Sequence, residues 1–346
     1  MRKSIFMAIA ILVAACSPPD TISFAAPNPA ATVEDIFVVT QQNVALGRDA
    51  FRSDRSTVAR RAQLSVSIPP THVQGQIAWP DGPTDPLTDF AVVDFVLLEN
   101  ETALERAIAE TEGDAVYLFV HGYNTTSSEA LYRFAQIAHD FDLPDARLMF
   151  SWASAGVPGA YVYDRDSVLF ARDDLVDLLT DIARKTDKNI NVMAHSMGAL
   201  LTMEAMRQLA VSGNRDVLRR MDSVTFLSPD LDPDIFRAQA SAIGELPEPF
   251  VILNSQTDRA LRLSSLLSGG RERVGAISSA ADVEGLNVTF VDITNLRDGS
   301  SLDHMVAFTS PVAIDVLRQM MDQDALRESE LSQFLVLNRD GSILSN

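Results

Sequence analysis

Ser196 lies in the run Asn191-Val192-Met193-Ala194-His195-Ser196-Met197-Gly198-Ala199-Leu200. A serine hydroxyl is a weak nucleophile until a base takes its proton and backbone donors hold the oxyanion that follows. A small residue two places before the serine and another two places after it mark a strand that turns abruptly into a helix, with the serine at the apex. The flanking positions are crowded, so glycine or alanine is needed there. Here they are Ala194, where glycine is usual, and Gly198. The Met197 N–H, at the start of the helix, is then one oxyanion donor. His195 shapes the turn, because a base adjacent in sequence to the nucleophile points elsewhere.

A second donor is expected from Tyr117-Leu118-Phe119-Val120-His121-Gly122-Tyr123-Asn124-Thr125. Gly122 permits a tight turn after a strand, and the Tyr123 N–H follows it. His121 holds this loop and does not transfer protons. The base must come after Ser196, and His304 is the only histidine there. It sits between the last expected strand and the last expected helix. Asp258, after the strand-like run Phe250–Leu253, is the first candidate for the acid that orients the imidazole. Asp230, after Val224–Leu227, is its rival, with helix capping as the alternative role. The five histidines show no HExxH-type spacing, and the one cysteine, Cys16, leaves no thiolate cluster, so no metal site and no cofactor are expected.

These residues need a scaffold. Apolar β-rich runs at Ala115–Val120, Ala146–Trp152, Ile190–Ala194, Val224–Leu227, Phe250–Leu253 and Val288–Val291 alternate with helical patterns. The helices are expected over Ser127–Asp140, Asp166–Ala183, Met197–Val211, Pro233–Ala242 and Pro311–Met321. Such alternation predicts a largely parallel sheet covered on both faces, with the site at the carboxyl ends of its strands. Ala62–Ile68, Val73–Trp79 and Phe90–Leu97 read as strands forming an antiparallel N-terminal lead-in. Ala153–Arg165, with Gly156, Pro158, Gly159, Tyr161 and Tyr163, is expected to be a lid, a pocket wall or an ordinary loop.

Taken together, these segments resemble a bacterial α/β-hydrolase family of unknown function, of the kind called esterase/lipase superfamily enzymes. The matching residues are Val66-Ser67-Ile68-Pro69 with His72 and Gly75, and His121-Gly122-Tyr123-Asn124-Thr125. They continue with Phe150-Ser151-Trp152, Tyr163 with Asp164, Ala194-His195-Ser196-Met197-Gly198, Ser228-Pro229-Asp230, Asp258 with Leu261, and Arg273 with Gly275. The resemblance covers about residues 60–320. It implies the α/β-hydrolase fold and a Ser–Asp–His hydrolase, and no particular substrate.

The ends of the chain read differently. Arg2 and Lys3 precede an apolar run from Ile5 to Ala15, too short to span a bilayer comfortably. Val13-Ala14-Ala15-Cys16 resembles a lipobox, which implies lipidation of Cys16 and a membrane anchor without a spanning helix. Ser17 after the cysteine tilts the destination towards the outer membrane of a cell envelope. Residues 1–16 are thus expected to be a signal, 17–45 a flexible tether, 46–322 the hydrolase domain and 323–346 a tail. The formal charge of −19 argues against nucleic acid as a partner. The expected chemistry is hydrolysis of a small-molecule or lipid ester. An amidase, peptidase or acyltransferase on the same triad, or an inert envelope-binding lipoprotein, are the alternatives.

Overall fold

The computed structural model describes residues 21–43, 52–277, 285–296, 303–322 and 334–342. The expected signal and Cys16, and most of the expected tail, lie outside these residues. In chain order the elements are β1 (Thr32–Asn43), β2 (Arg52–Ile68), β3 (Ala91–Leu98), α1 (Glu101–Ala109), β4 (Ala115–Val120), α2 (Ser127–Asp140), β5 (Ala146–Ser151), α3 (Tyr161–Lys185), β6 (Asn189–His195) and α4 (Met197–Val211). They continue with α5 (Arg215–Leu218), β7 (Met221–Leu227), α6 (Pro233–Ile243), β8 (Phe250–Asn254), α7 (Arg259–Leu267), β9 (Thr289–Asp292), α8 (Val306–Thr309), α9 (Pro311–Asp322) and β10 (Phe334–Val336).

One sheet runs β10-β9-β8-β7-β6-β4-β5-β1-β2-β3. It is parallel from β10 through β1, and β2 and β3 close that edge antiparallel. Alternate residues of the parallel strands feed two cores. Leu118, Phe150, Val192 and Phe226 pack with α3 and α4 on one face, and Phe119, Met149, Met193 and Leu253 with α2 and α9 on the other. Strands buried on both faces must be apolar throughout, which is why β4, β6, β7 and β8 are legible as short hydrophobic runs. Among the described residues no helix is long and apolar enough to cross a membrane.

The structure corrects three expectations. Residues 32–43, assigned to a tether, form β1 inside the sheet between β5 and β2. Ile36 and Val38 face one core and Phe37 and Val39 the other. The tether reading came from the Pro/Ala-rich stretch just before it. Even that stretch is held, since Ser23 N–H donates to the Tyr132 hydroxyl and Ala25 N–H to Val92 O. Val73–Trp79 is not a strand. Gly75 has φ +82°, and its N–H donates to Asp140 Oδ2 at 2.7 Å. A Cβ on Gly75 would collide with Thr309 O. The segment is a loop wedged between the end of α2 and α8. Gln136 Nε2 ties the same hub together, donating both to Asp140 Oδ2 and to Phe308 O. The third correction is the start of α3, which forms at Tyr161, so the connection from β5 is shorter than read.

Candidate active site

The turn between β6 and α4 places Ser196 at φ 52°, ψ −120°, a region that L-residues rarely adopt. Backbone contacts hold it there: Ser196 N–H donates to Leu227 O at 3.0 Å, and Asp230 N–H donates to Ser196 O at 3.1 Å. A Cβ on Gly198 would lie 2.5 Å from both His121 O and Val120 O. Glycine is required here by close approach, not by its own dihedrals. Ala194 stands where glycine is usual because its methyl is taken into the α3/α4 core, with no solvent exposure.

The loop after β4 comes right up to this turn. A Cβ on Gly122 would lie 2.7 Å from His195 Nδ1 and 2.8 Å from Ser196 Cβ. His121 is buried with its ring stacked on Trp152, 5.0 Å between centroids. Trp152 Nε1–H donates to His121 O at 2.8 Å. Burial pushes the His121 imidazole down to about 4, so it is neutral and structural at ordinary pH. Asn124 adopts φ 54°, and its N–H donates to Asp164 Oδ2 at 3.1 Å. Asp164 also accepts from Ser154 Oγ at 2.8 Å and Ala155 N–H at 2.7 Å. It therefore fixes the loops after β4 and β5 against each other. Burial raises its carboxyl above the usual range, against these donors. The connection 152–160 lies beside this loop, with the Tyr123 hydroxyl donating to Pro158 O.

Asp258 and His304 are brought together. Asp258 is fully buried and caps α7, accepting Leu261 N–H at 2.9 Å through Oδ1. Its other oxygen lies 2.6 Å from His304 Nδ1. The His304 ring in turn lies against the His195 ring, 4.7 Å between centroids, beside the turn that carries Ser196. Burial is the largest influence on His304 and pulls its pKa down. The charge and hydrogen bond of Asp258, with the charge of Asp230, outweigh it, and the net direction is upward. His195 goes the other way: burial and the neighbouring His304 hold it well below the ordinary histidine value.

The rival acid is engaged elsewhere. Asp230 accepts from the Tyr161 hydroxyl at 3.0 Å and from Ser264 Oγ at 2.5 Å, and pairs with Arg273 Nε at 3.2 Å. Both carboxylate and guanidinium are buried, so this pair is part of the floor under α7.

Residues 98–323 match the family described as "Alpha/beta hydrolase of unknown function (DUF900)". The chain belongs to that family. The match spans every segment of the site from His121 to His304 and begins at Leu98, the last residue of β3. No curated protein matches the chain. Solved structures align with the chain at low identity. Aspergillus fumigatus lipase B aligns at 14% identity and TM-score 0.42, over 69% of this chain and 64% of the lipase. A Pyrobaculum calidifontis esterase aligns at 12% and 0.39, over 94% and 93%. The metagenomic carboxylesterase EstE1 aligns at 11% and 0.38, over 86% and 92%. The α/β-hydrolase class of the DUF900 chain rests on the family match, and no substrate carries over from the solved structures at such distance.

Sequence reading missed the work done by Asp164, Tyr161 and Arg273. A carboxylate in the first turn of a helix beside two tyrosines was the available signal for Asp164. The histidines are also less scattered in space than in sequence. His72 and His139 face each other edge-on at 5.3 Å, and with Asp140 they are the one group among the described residues whose ligand atoms converge, all within 4.8 Å of one another. His72 Nε2 lies 2.7 Å from Asp140 Oδ1, and Asp140 Oδ2 accepts from Gly75 and Gln136. Hydrogen bonds within the protein thus already engage both oxygens.

Proposed function

We propose that the protein is a serine hydrolase acting on carboxylic esters through an acyl-enzyme. The observation that carries this reading is the 2.6 Å Asp258–His304 contact, with the His304 ring against His195 next to a strained Ser196. Asp258 holds His304 as the Nδ1–H tautomer, which leaves Nε2 as the base. Nε2 takes the Ser196 proton while Oγ attacks the ester carbonyl. The Tyr123 and Met197 N–H groups receive the oxyanion. Collapse expels the alcohol, which leaves with the proton from His304. A water then gives its proton to His304 and attacks the acyl carbon. The acid departs and the proton returns to Ser196 Oγ. These steps call on no metal or organic cofactor. Asp258 orients the imidazole and stabilises the imidazolium.

We also propose that the protein is an exported lipoprotein anchored through Cys16 in the cell envelope, on the strength of residues 1–16 alone. The test of the catalytic reading is hydrolysis of p-nitrophenyl esters of increasing chain length by the wild type beside Ser196→Ala, with fluorophosphonate labelling of both. Turnover and labelling that vanish together in Ser196→Ala are expected. Equal activity in the two proteins would discard Ser196 as the nucleophile.

A further inference from the structure

α7 is the helix that Asp258 caps, so it begins at the site and lies on the carboxyl side of the sheet. Leu261 and Ser264 face inward, and Ser264 meets both Asp230 and the Tyr161 hydroxyl. The opposite face, spaced at 259, 262, 263, 266 and 267, carries three leucines and two arginines and no acidic residue. Leu263, Leu266 and Leu267 are 57%, 74% and 59% exposed. Val162, next to the Tyr161 that is hydrogen-bonded to α7, is 72% exposed on the start of α3. Leucines on the solvent face of so short a helix are costly in water, and the charged residues that share the face are basic in a chain of charge −19; Arg262 also donates to Gln256 O at 2.9 Å.

We propose that this face of α7 docks on an anionic lipid surface, with Leu263, Leu266 and Leu267 inserted at the acyl boundary and Arg259 and Arg262 at the phosphates. Leucine and arginine on one helix face is the composition of an interfacial helix, and charge complementarity selects anionic over zwitterionic headgroups. Docking there brings lipid to the rim of the Ser196 turn, so the substrate class is an ester presented at a membrane surface. The substrate half of this statement rests on the esterase reading. The docking half does not.

Two measurements on the full chain separate them. In the first, Cys16→Ser/Leu266→Cys carries an environment-sensitive fluorophore and is mixed with phosphatidylglycerol or phosphatidylcholine vesicles. A blue shift with phosphatidylglycerol and little with phosphatidylcholine is expected. No shift with either, an equal shift with both, or a shift that follows protein concentration without vesicles would overturn the proposal. In the second, Leu263→Ser/Leu266→Ser/Leu267→Ser is compared with wild type on a long-chain ester in phosphatidylglycerol vesicles and on soluble p-nitrophenyl acetate. The vesicle rate should fall roughly tenfold or more, while the soluble rate stays unchanged. An unchanged vesicle rate refutes docking through α7. Absence of turnover in both proteins on both substrates, with the fluorophore shift intact, refutes the esterase reading alone.

Discussion

Asp258→Asn separates the electrostatic role of this residue from its structural one. Asparagine keeps an oxygen for the Leu261 N–H at 2.9 Å, so the α7 cap survives. It removes the charge 2.6 Å from His304 Nδ1. Asp258 is fully buried, and leaving a buried charge without its partner costs about 3–5 kcal/mol. That cost falls on the imidazolium that forms as Ser196 attacks. At about 1.36 kcal/mol per decade, kcat/KM should fall by roughly 10²- to 10⁴-fold. The pH profile adds an independent sign. In the wild type the net shift of His304 is upward, so its neutral, active form fills only as pH rises above the ordinary histidine range. In Asp258→Asn the influence of burial is left far less opposed, and the acid limb of the profile should move to lower pH. The assay is p-nitrophenyl ester hydrolysis from pH 5 to 9, with thermal unfolding to show that the fold is kept. Residual activity above a third of wild type, or an acid limb that stays in place, would refute the pairing and return Asp230 to consideration.

Gly198→Ala puts a methyl 2.5 Å from two backbone oxygens, so it should destabilise by about 1–3 kcal/mol and cut kcat, measured by denaturant melts beside turnover. His121→Gln should flatten the acid side of the stability curve. The folded pKa of His121, about 4, lies below the unfolded value of 6.5, so its contribution is full above pH 6.5 and is lost as pH falls towards 4, a difference of about 3 kcal/mol at roughly 1.4 per unit. Urea melts at pH 7 and 4.5 check this; equal pH dependence in both proteins counts against it. Asp164→Ala leaves the Asn124 and Ala155 N–H groups without their acceptor, at about 1–3 kcal/mol for each that stays dry. It should lower kcat more than it raises KM if the Tyr123 N–H is an oxyanion donor, because the turn that aims it loosens.

The parallel half of the sheet was legible because strands buried on both faces must be continuously apolar and their helices must be amphipathic. Ser127–Asp140 and Met197–Val211 were read with the same bounds that the structure gives. The crowded turn around Ser196 was legible for a related reason: only small residues fit beside it, so the constraint is written in residue type. β1 was hidden by its neighbours in sequence. Its apolar run Ile36-Phe37-Val38-Val39 carried the same signal, but the Pro/Ala-rich stretch before it led to the tether reading, and its partner β5 lies more than a hundred residues away. Asp164 and Arg273 were hidden likewise, since their hydrogen bonds and ion pair join loops that only the finished sheet brings together. Position put Asp258 ahead of Asp230, although both follow strands. What separates them is that Tyr161, Ser264 and Arg273 surround one and His304 meets the other.

The loop held by Gly75 bears on what steadies the candidate site. Thr309 and Phe308, which it and Gln136 brace, lie on the helix that follows His304, and the Phe308 ring stands against His195. The brace depends on β2, which pairs with β1 and leads residues 69–79 to the end of α2. The helix that follows His304 is therefore braced by a loop from the N-terminal part of the chain. A change in β1 or β2 would therefore reach the candidate site through Phe308 and the His195 ring it stands against.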